Sequence, residues 1–110
     1  MAEENTQPNL EATMGLIINA GNAKGLAFEA IKKAKAGEIE EAHKKLEESD
    51  KALNEAHNAQ TSMLTKEAQG ESQPVTLLTV HSQDHLMNAI TFRDLAGEMV
   101  DLYERLEKEN

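Results

Sequence analysis

From Leu16 to Ala34 the chain sets a small or apolar residue at every fourth or third position: Leu16, Ala20, Ala23, Ala27, Ala30 and Ala34. That is the period of a helix packed against other helices along one narrow line. Alanine at most of these positions lets a neighbouring helix approach closely. Two later stretches repeat the period. One reads Ile39, Ala42, Leu46, Ser49, Leu53, Ala56, Gln60, Met63; the other reads Leu78, His81, His85, Asn88, Phe92, Leu95, Met99, Leu102, Leu106. No run alternates in the manner of a strand. The chain is expected to be all-α, an antiparallel three-helix bundle whose helices span roughly 30 residues, or about 45 Å, each.

Helix breakers divide it. The first helix is expected over 9–36, stopping at Gly37, a natural C-terminal breaker. The second is expected from Glu38 to about Gln69-Gly70. The loop from Gly70 to Pro74 offers a cap candidate and a proline suited to a first helical turn, and the third helix is expected from Val75 to Lys108. Short connections between long helices make sequential neighbours antiparallel. Residues 1–8 are polar and are expected to form a disordered tail, with 9–110 as a single three-helix domain.

The first helix also carries a stripe of larger residues: Leu10, Met14, Ile17, Phe28 and Ile31. Gly15, Gly21 and Gly25 weaken its helix propensity. Close approach of another backbone and a local kink are both open as the reason. In the third helix, Leu77, Val80, Asp84, Met87 and Thr91 form a second line, and Leu86, Ala89 and Ile90 make its N-terminal half apolar nearly all round. A helix apolar on every side must be covered on every side. A three-helix monomer covers mainly one, so self-association through residues 77–90 is expected.

Charge limits the partners. A net charge of −9 over 110 residues argues against nucleic acid and anionic membrane surfaces, which need clustered Lys and Arg. Cysteine is absent, which excludes disulfide and thiolate chemistry on this chain. The opening residues Met-Ala-Glu-Glu-Asn are acidic and polar, unlike a signal peptide. A cytoplasmic location is expected.

Polar groups then intrude where the pattern is apolar. Val80 to Met87 reads Val-His-Ser-Gln-Asp-His-Leu-Met. On a helix His81 and His85 lie one turn apart, with Asp84 beside them. An isolated core histidine is more often a satisfied structural group than a ligand. Two of them beside Gln83 and Asp84 narrow that margin. Neutral imidazole is a nucleophile at cellular pH. As a zinc signal, His-x-x-x-His alone is weak, because it lacks the metalloprotease glutamate and a third ligand. Asp84 is either a surface carboxylate reaching past its neighbours or a group at a symmetry axis. On an axis its copies would raise one another's pKa unless a cation neutralised them, and carboxylates with water suit a hard ion such as Mg²⁺. In an antiparallel bundle the second helix brings Asn54, His57, Gln60 and Thr61 to the same end. His43 lies in a charged stretch and reads as plain surface.

Three segments carry a resemblance to a known family: Met-Gly-Leu-Ile-Ile-Asn-Ala-Gly (14–21), Ala-Leu-Asn-Glu-Ala-His-Asn-Ala-Gln-Thr (52–61) and the Val80–Met87 string. Together they resemble the lactose/cellobiose-type enzyme IIA of the bacterial sugar phosphotransferase system, nearer its cellobiose/diacetylchitobiose branch. The resemblance implies a homotrimer with coiled-coil-like packing. It implies that His81 carries a phosphoryl group on Nε2, taken from the histidine phosphocarrier protein and passed to a cysteine of the cognate enzyme IIB. Uptake of a β-linked disaccharide of cellobiose, chitobiose or lactose type through the membrane enzyme IIC would follow. It implies that Asp84 meets its copies around a metal ion, Mg²⁺ by its chemistry. His85 and Gln83 match polar neighbours of the site, and His57 and Gln60 are added as supporting residues.

Phosphoryl transfer of this kind rests on positioning and electrostatics. An apolar rim around His81 would exclude water. No Lys or Arg stands nearby in sequence, so helix N-terminal donors, side-chain amides or the partner must supply compensation. Two other classes compete. A non-catalytic adaptor would bind partner helices through the alanine groove. A carboxylate-bridged metalloprotein would need several inward Glu-x-x-His motifs, and the chain has only Glu-Ala-His and Glu-Glu-Ala-His spacings.

Overall fold

In a computed structural model, which describes residues 10–71 and 74–109, three helices form a rod. They are α1 (Leu10–Lys35), α2 (Ile39–Ala68) and α3 (Leu77–Lys108). The rod measures 66 × 19 × 18 Å. Residues 1–8, for which a disordered tail is expected, lie outside the described residues. No described helix is long and apolar enough to cross a membrane.

The two sharp ends are made the same way. Gly37 and Gly70 take φ of +85° and +89°, a left-handed region that other residues enter at a cost. Glu38 N–H donates to Lys33 O at 2.8 Å and Gly37 N–H to Ala34 O at 3.0 Å; Glu71 and Gly70 repeat this on Lys66 and Glu67 at 2.9 and 3.0 Å. Each pair satisfies carbonyls that a helix end leaves open. At the start of α3 the Thr76 hydroxyl accepts from Thr79 N–H at 3.1 Å. This cap places the helix start at Leu77, so Pro74 and Val75 precede the helix instead of filling its first turn.

Side-chain contacts fix the directions. Gln60 meets Gln83, Asp50 meets Arg93 and His43 meets Glu104, so α2 runs against α3. Ser49 Oγ donates to Ala23 O at 2.7 Å, and Lys45 pairs with Glu29, so α2 also runs against α1. The rings of Phe28 and Phe92 meet edge to face at 6.3 Å, and α1 runs alongside α3.

Alanines make up most of the interior, with four leucines and a valine among them. One cluster joins Leu16, Ala20, Ala23, Ala52, Leu53, Ala56, Leu86 and Ala89. A second joins Ala27, Ala30, Ala34, Ala42, Leu46, Ala96 and Val100. The alanine line of α1 is buried as its spacing predicts.

The register of α3 differs from expectation by one residue. Ser82, Leu86, Ala89, Ala96 and Val100 are buried, not the row through His81, His85 and Leu95. Leu95, Leu102 and Leu106 are 59%, 54% and 49% exposed. Hydrophobicity does not mark the inner line of a helix apolar all round. Size marks three of its five positions: Ser82, Ala89 and Ala96 fit against the alanines of α1, where leucine would hold the helices apart, while Leu86 and Val100 supply the bulk of the line.

The glycines divide too. A Cβ on Gly15 or Gly25 would meet open space, whereas one on Gly21 would stand 3.4 Å from His85 Nε2. None of the three therefore lies against another backbone within the chain; at Gly21 the neighbour is a side chain, at ordinary van der Waals distance.

Candidate functional site

Burial of Ser82 sets the site. Its hydroxyl donates to Thr79 O at 2.6 Å and its side chain is sealed. With Ser82 inward, His81 is rotated by about 100° onto the flank. Its side chain is 56% exposed, and that of Asp84 68%.

His81 Nδ1 stands 3.3 Å from Asp84 Oδ1. The rings of His81 and His85 stack at 5.6 Å with 24° between their planes. His85 is half-buried, wedged between His81 and the open position at Gly21. Among the described residues no hydrogen bond reaches His81 Nε2. A carboxylate beside Nδ1 favours the tautomer with its proton there, leaving the Nε2 lone pair free to attack.

Leu77, Leu78 and Val80 line a groove of about 540 Å³ with His81 and Asp84. This is the apolar rim that the sequence leads one to expect. A neighbouring groove of about 690 Å³ passes Val80, Gln83, Asp84, Met87, Asn88 and Thr91. Leu77, Val80, Met87, Leu95 and Leu102 are 87%, 49%, 53%, 59% and 54% exposed. They form a stripe directly opposite the buried line of α3, with Asp84 in its course.

The remaining candidates lie elsewhere. Gln83 is on the other flank of α3, where its Oε1 accepts from Gln60 Nε2 at 2.7 Å and its Nε2 approaches Met63 Sδ at 3.7 Å. Gln83 and Gln60 thus come together, but not beside His81 of the same chain. His57 is exposed on α2, along a groove with Asp50, Leu53, Asn54 and Ile90. The first cation along α3, Arg93, is held by Asp50 through two contacts of 2.6 and 3.0 Å, away from His81.

His43, which reads as plain surface in the sequence, meets a partner on another helix. Its Nε2 lies 2.9 Å from Glu104 Oε1, 61 positions along the chain. No local signal marks such a pair, since only the docking of α2 on α3 creates it.

The family model for the "PTS system, Lactose/Cellobiose specific IIA subunit" matches residues 11–104. A cellobiose-specific EIIA component of Lactococcus lactis subsp. lactis (strain IL1403) is 57% identical over 94 residues, 86% of this chain and 81% of the relative. The crystal structure of the cellobiose-specific enzyme IIA from Bacillus anthracis superposes with a TM-score of 0.89 at 44% identity, covering 91% of this chain and 92% of that one. The IIA(Chitobiose) in complex with HPr, from the N,N'-diacetylchitobiose branch of the Escherichia coli phosphotransferase system, superposes with a TM-score of 0.79 at 40% identity, covering 92% and 98%.

Proposed function

Because the chain belongs to the lactose/cellobiose-specific IIA subunits of the phosphotransferase system, a family that acts in phosphoryl transfer, we propose that His81 Nε2 carries the phosphoryl group. The donor is the histidine phosphocarrier protein, and the acceptor is a cysteine of the cognate enzyme IIB in the cytoplasm. Passage to a β-linked disaccharide entering through the membrane enzyme IIC follows from that relay. The observation that carries the reading is the presentation of His81: Nδ1 lies against Asp84, and the flank is rimmed by Leu77, Leu78 and Val80. The HPr complex of a relative supports the choice of donor.

In the first step Nε2 attacks phosphorus in line, an N–P bond forms, and the bond to the donor's imidazole breaks. In the second a thiolate attacks and the N–P bond to His81 breaks. Nothing but positioning and charge is asked of the chain. The Nδ1 proton beside Asp84 keeps the ring oriented, and its attraction to the carboxylate grows as the ring gains positive character. The apolar rim lets a docked partner exclude water from a labile phosphohistidine.

We assign the exposed stripe on α3 to a homotrimer interface. Full burial of a Leu, Val or Met side chain contributes about 1.5–3 kcal/mol, so the row from Leu77 to Leu102 is a strong drive to associate. Asp84 then faces its copies at the axis. One hard carboxylate per subunit, largely exposed in the single chain and set within an apolar row, fits a divalent ion such as Mg²⁺. The Asp84 side chains would hold it, and it would neutralise their repulsion. His81 and Gln83 flank opposite edges of this stripe. In a parallel trimer, Gln83 and Gln60 of one subunit therefore approach His81 of the next, a source of neutral donors where no cation stands.

An adaptor acting through the alanine groove is disfavoured, because Ala20, Ala23, Ala27 and Ala30 are fully covered by α2 and α3. Glu40, Glu41 and Glu55 are exposed, so no inward carboxylate cage of the metalloprotein kind forms from the Glu–His spacings. Incubation with phosphoenolpyruvate, enzyme I and the phosphocarrier tests the proposal: acid-labile phosphate should appear on His81. Label at another residue, or none, would overturn it.

A further inference from the structure

We propose that His43, Asp101 and Glu104 form a site for a divalent transition-metal ion, zinc above all, that bridges α2 and α3 at the end of the rod remote from His81. His43 comes from α2. Asp101 and Glu104 come from successive turns of α3, on its flank towards α2. One ligand atom from each residue lies within 4.8 Å of the other two.

The geometry is close to what a metal needs. Tetrahedral zinc with bonds near 2.0–2.1 Å sets its ligand atoms about 3.3 Å apart. His43 Nε2 and Glu104 Oε1, at 2.9 Å, must part slightly. No separation need close by more than about 1.5 Å, a rotamer adjustment for partly exposed side chains, His43 and Glu104 being 46% and 30% accessible. A groove of about 630 Å³ past His43, Leu46, Asp94, Glu98 and Asp101 leaves room for water at the remaining positions.

The donor set selects the ion. One imidazole nitrogen with two carboxylate oxygens suits zinc and its neighbours; magnesium prefers oxygen alone. Charge is in place as well. Asp101 and Glu104 bring two carboxylates to the one imidazole of His43. Lys108 sits 3.4 Å from Oε2, which leaves Oε1 to the metal. On binding, the ion takes the Nε2 lone pair of the tautomer that carries its proton on Nδ1, and bonds from Nε2 and Glu104 Oε1 to the metal replace their direct contact.

The consequence is mechanical. Contact between α2 and α3 is the sparsest of the three helix pairs, and a shared ion ties these helices directly.

The test uses the whole chain, stripped with chelator and titrated with zinc chloride, with imidazole nitrogens followed by long-range proton–nitrogen NMR. One equivalent should shift His43 Nε2 ahead of His57 and raise the midpoint of thermal unfolding. His43→Ala and Asp101→Asn should each weaken zinc binding roughly tenfold or more and abolish that rise, while His81→Gln should leave it intact. A His43 resonance unmoved at stoichiometric zinc would overturn the site, as would unchanged affinity in His43→Ala. The NMR arm needs no variant, so misfolding of one does not decide the outcome.

Discussion

His85 Nε2 fills the place that a side chain on Gly21 would take, 3.4 Å from where its Cβ would stand. A side chain at Gly21 would meet the ring that stacks on His81, so bulk on α1 would reach the site through one intermediary.

Gly21→Ala should therefore be tolerated, the methyl just meeting the ring, while Gly21→Leu should push His85 towards His81 and slow phosphoryl uptake. Gly15→Ala and Gly25→Ala, whose methyls meet open space within the chain, should each gain about 0.8–1 kcal/mol of helix propensity. Thermal unfolding and the labelling rate separate these effects. A loss of stability in Gly15→Ala would mean that a neighbouring subunit needs the space.

Replacing His81 with Gln should leave helicity and assembly unchanged and abolish labelling from the phosphocarrier. His85→Ala should slow labelling without ending it, because its ring supports His81 by stacking alone. Mass spectrometry before and after acid treatment reads both results.

Asp84→Leu should still form a trimer by analytical ultracentrifugation, and chelator should no longer weaken it. Apolar packing can replace a buried ionic cluster without loss. A monomeric Asp84→Leu protein would count against the axial role.

The register of α3 predicts opposite outcomes for adjacent residues. Ala96→Leu adds bulk where exposure is zero and should cost about 1–3 kcal/mol of unfolding free energy. Leu95→Ala should leave the single chain's fold intact and weaken self-association instead. Equal effects on both readouts would reject the assignment of inner and outer rows.

Much of this was legible in the residues. The alanine line of α1, the stop at Gly37 and the fading of α2 at Gln69-Gly70 all carry local signals, periodic spacing or a left-handed glycine, and the structure follows them. The inner line of α3 carried no such signal, because Leu95 and Ala96 are both apolar and only their size, measured against α1, distinguishes them. His81 and Asp84 stood out as polar groups in an apolar run. The separation of Gln83 from His81 within one chain depends on that same register, and the meeting of His43 with Glu104 depends on two helices docking. Neither is written in any short stretch of sequence.

The alanine line of α1 has almost nothing left to lose. Drift commonly erodes a protein by trimming large buried side chains, yet at Ala20, Ala23, Ala27 and Ala30 only glycine is smaller. Variation that survives is steered to the outward rows, where bulky residues meet the surroundings. Such a rod can change its company over generations while its own cross-section stays the same.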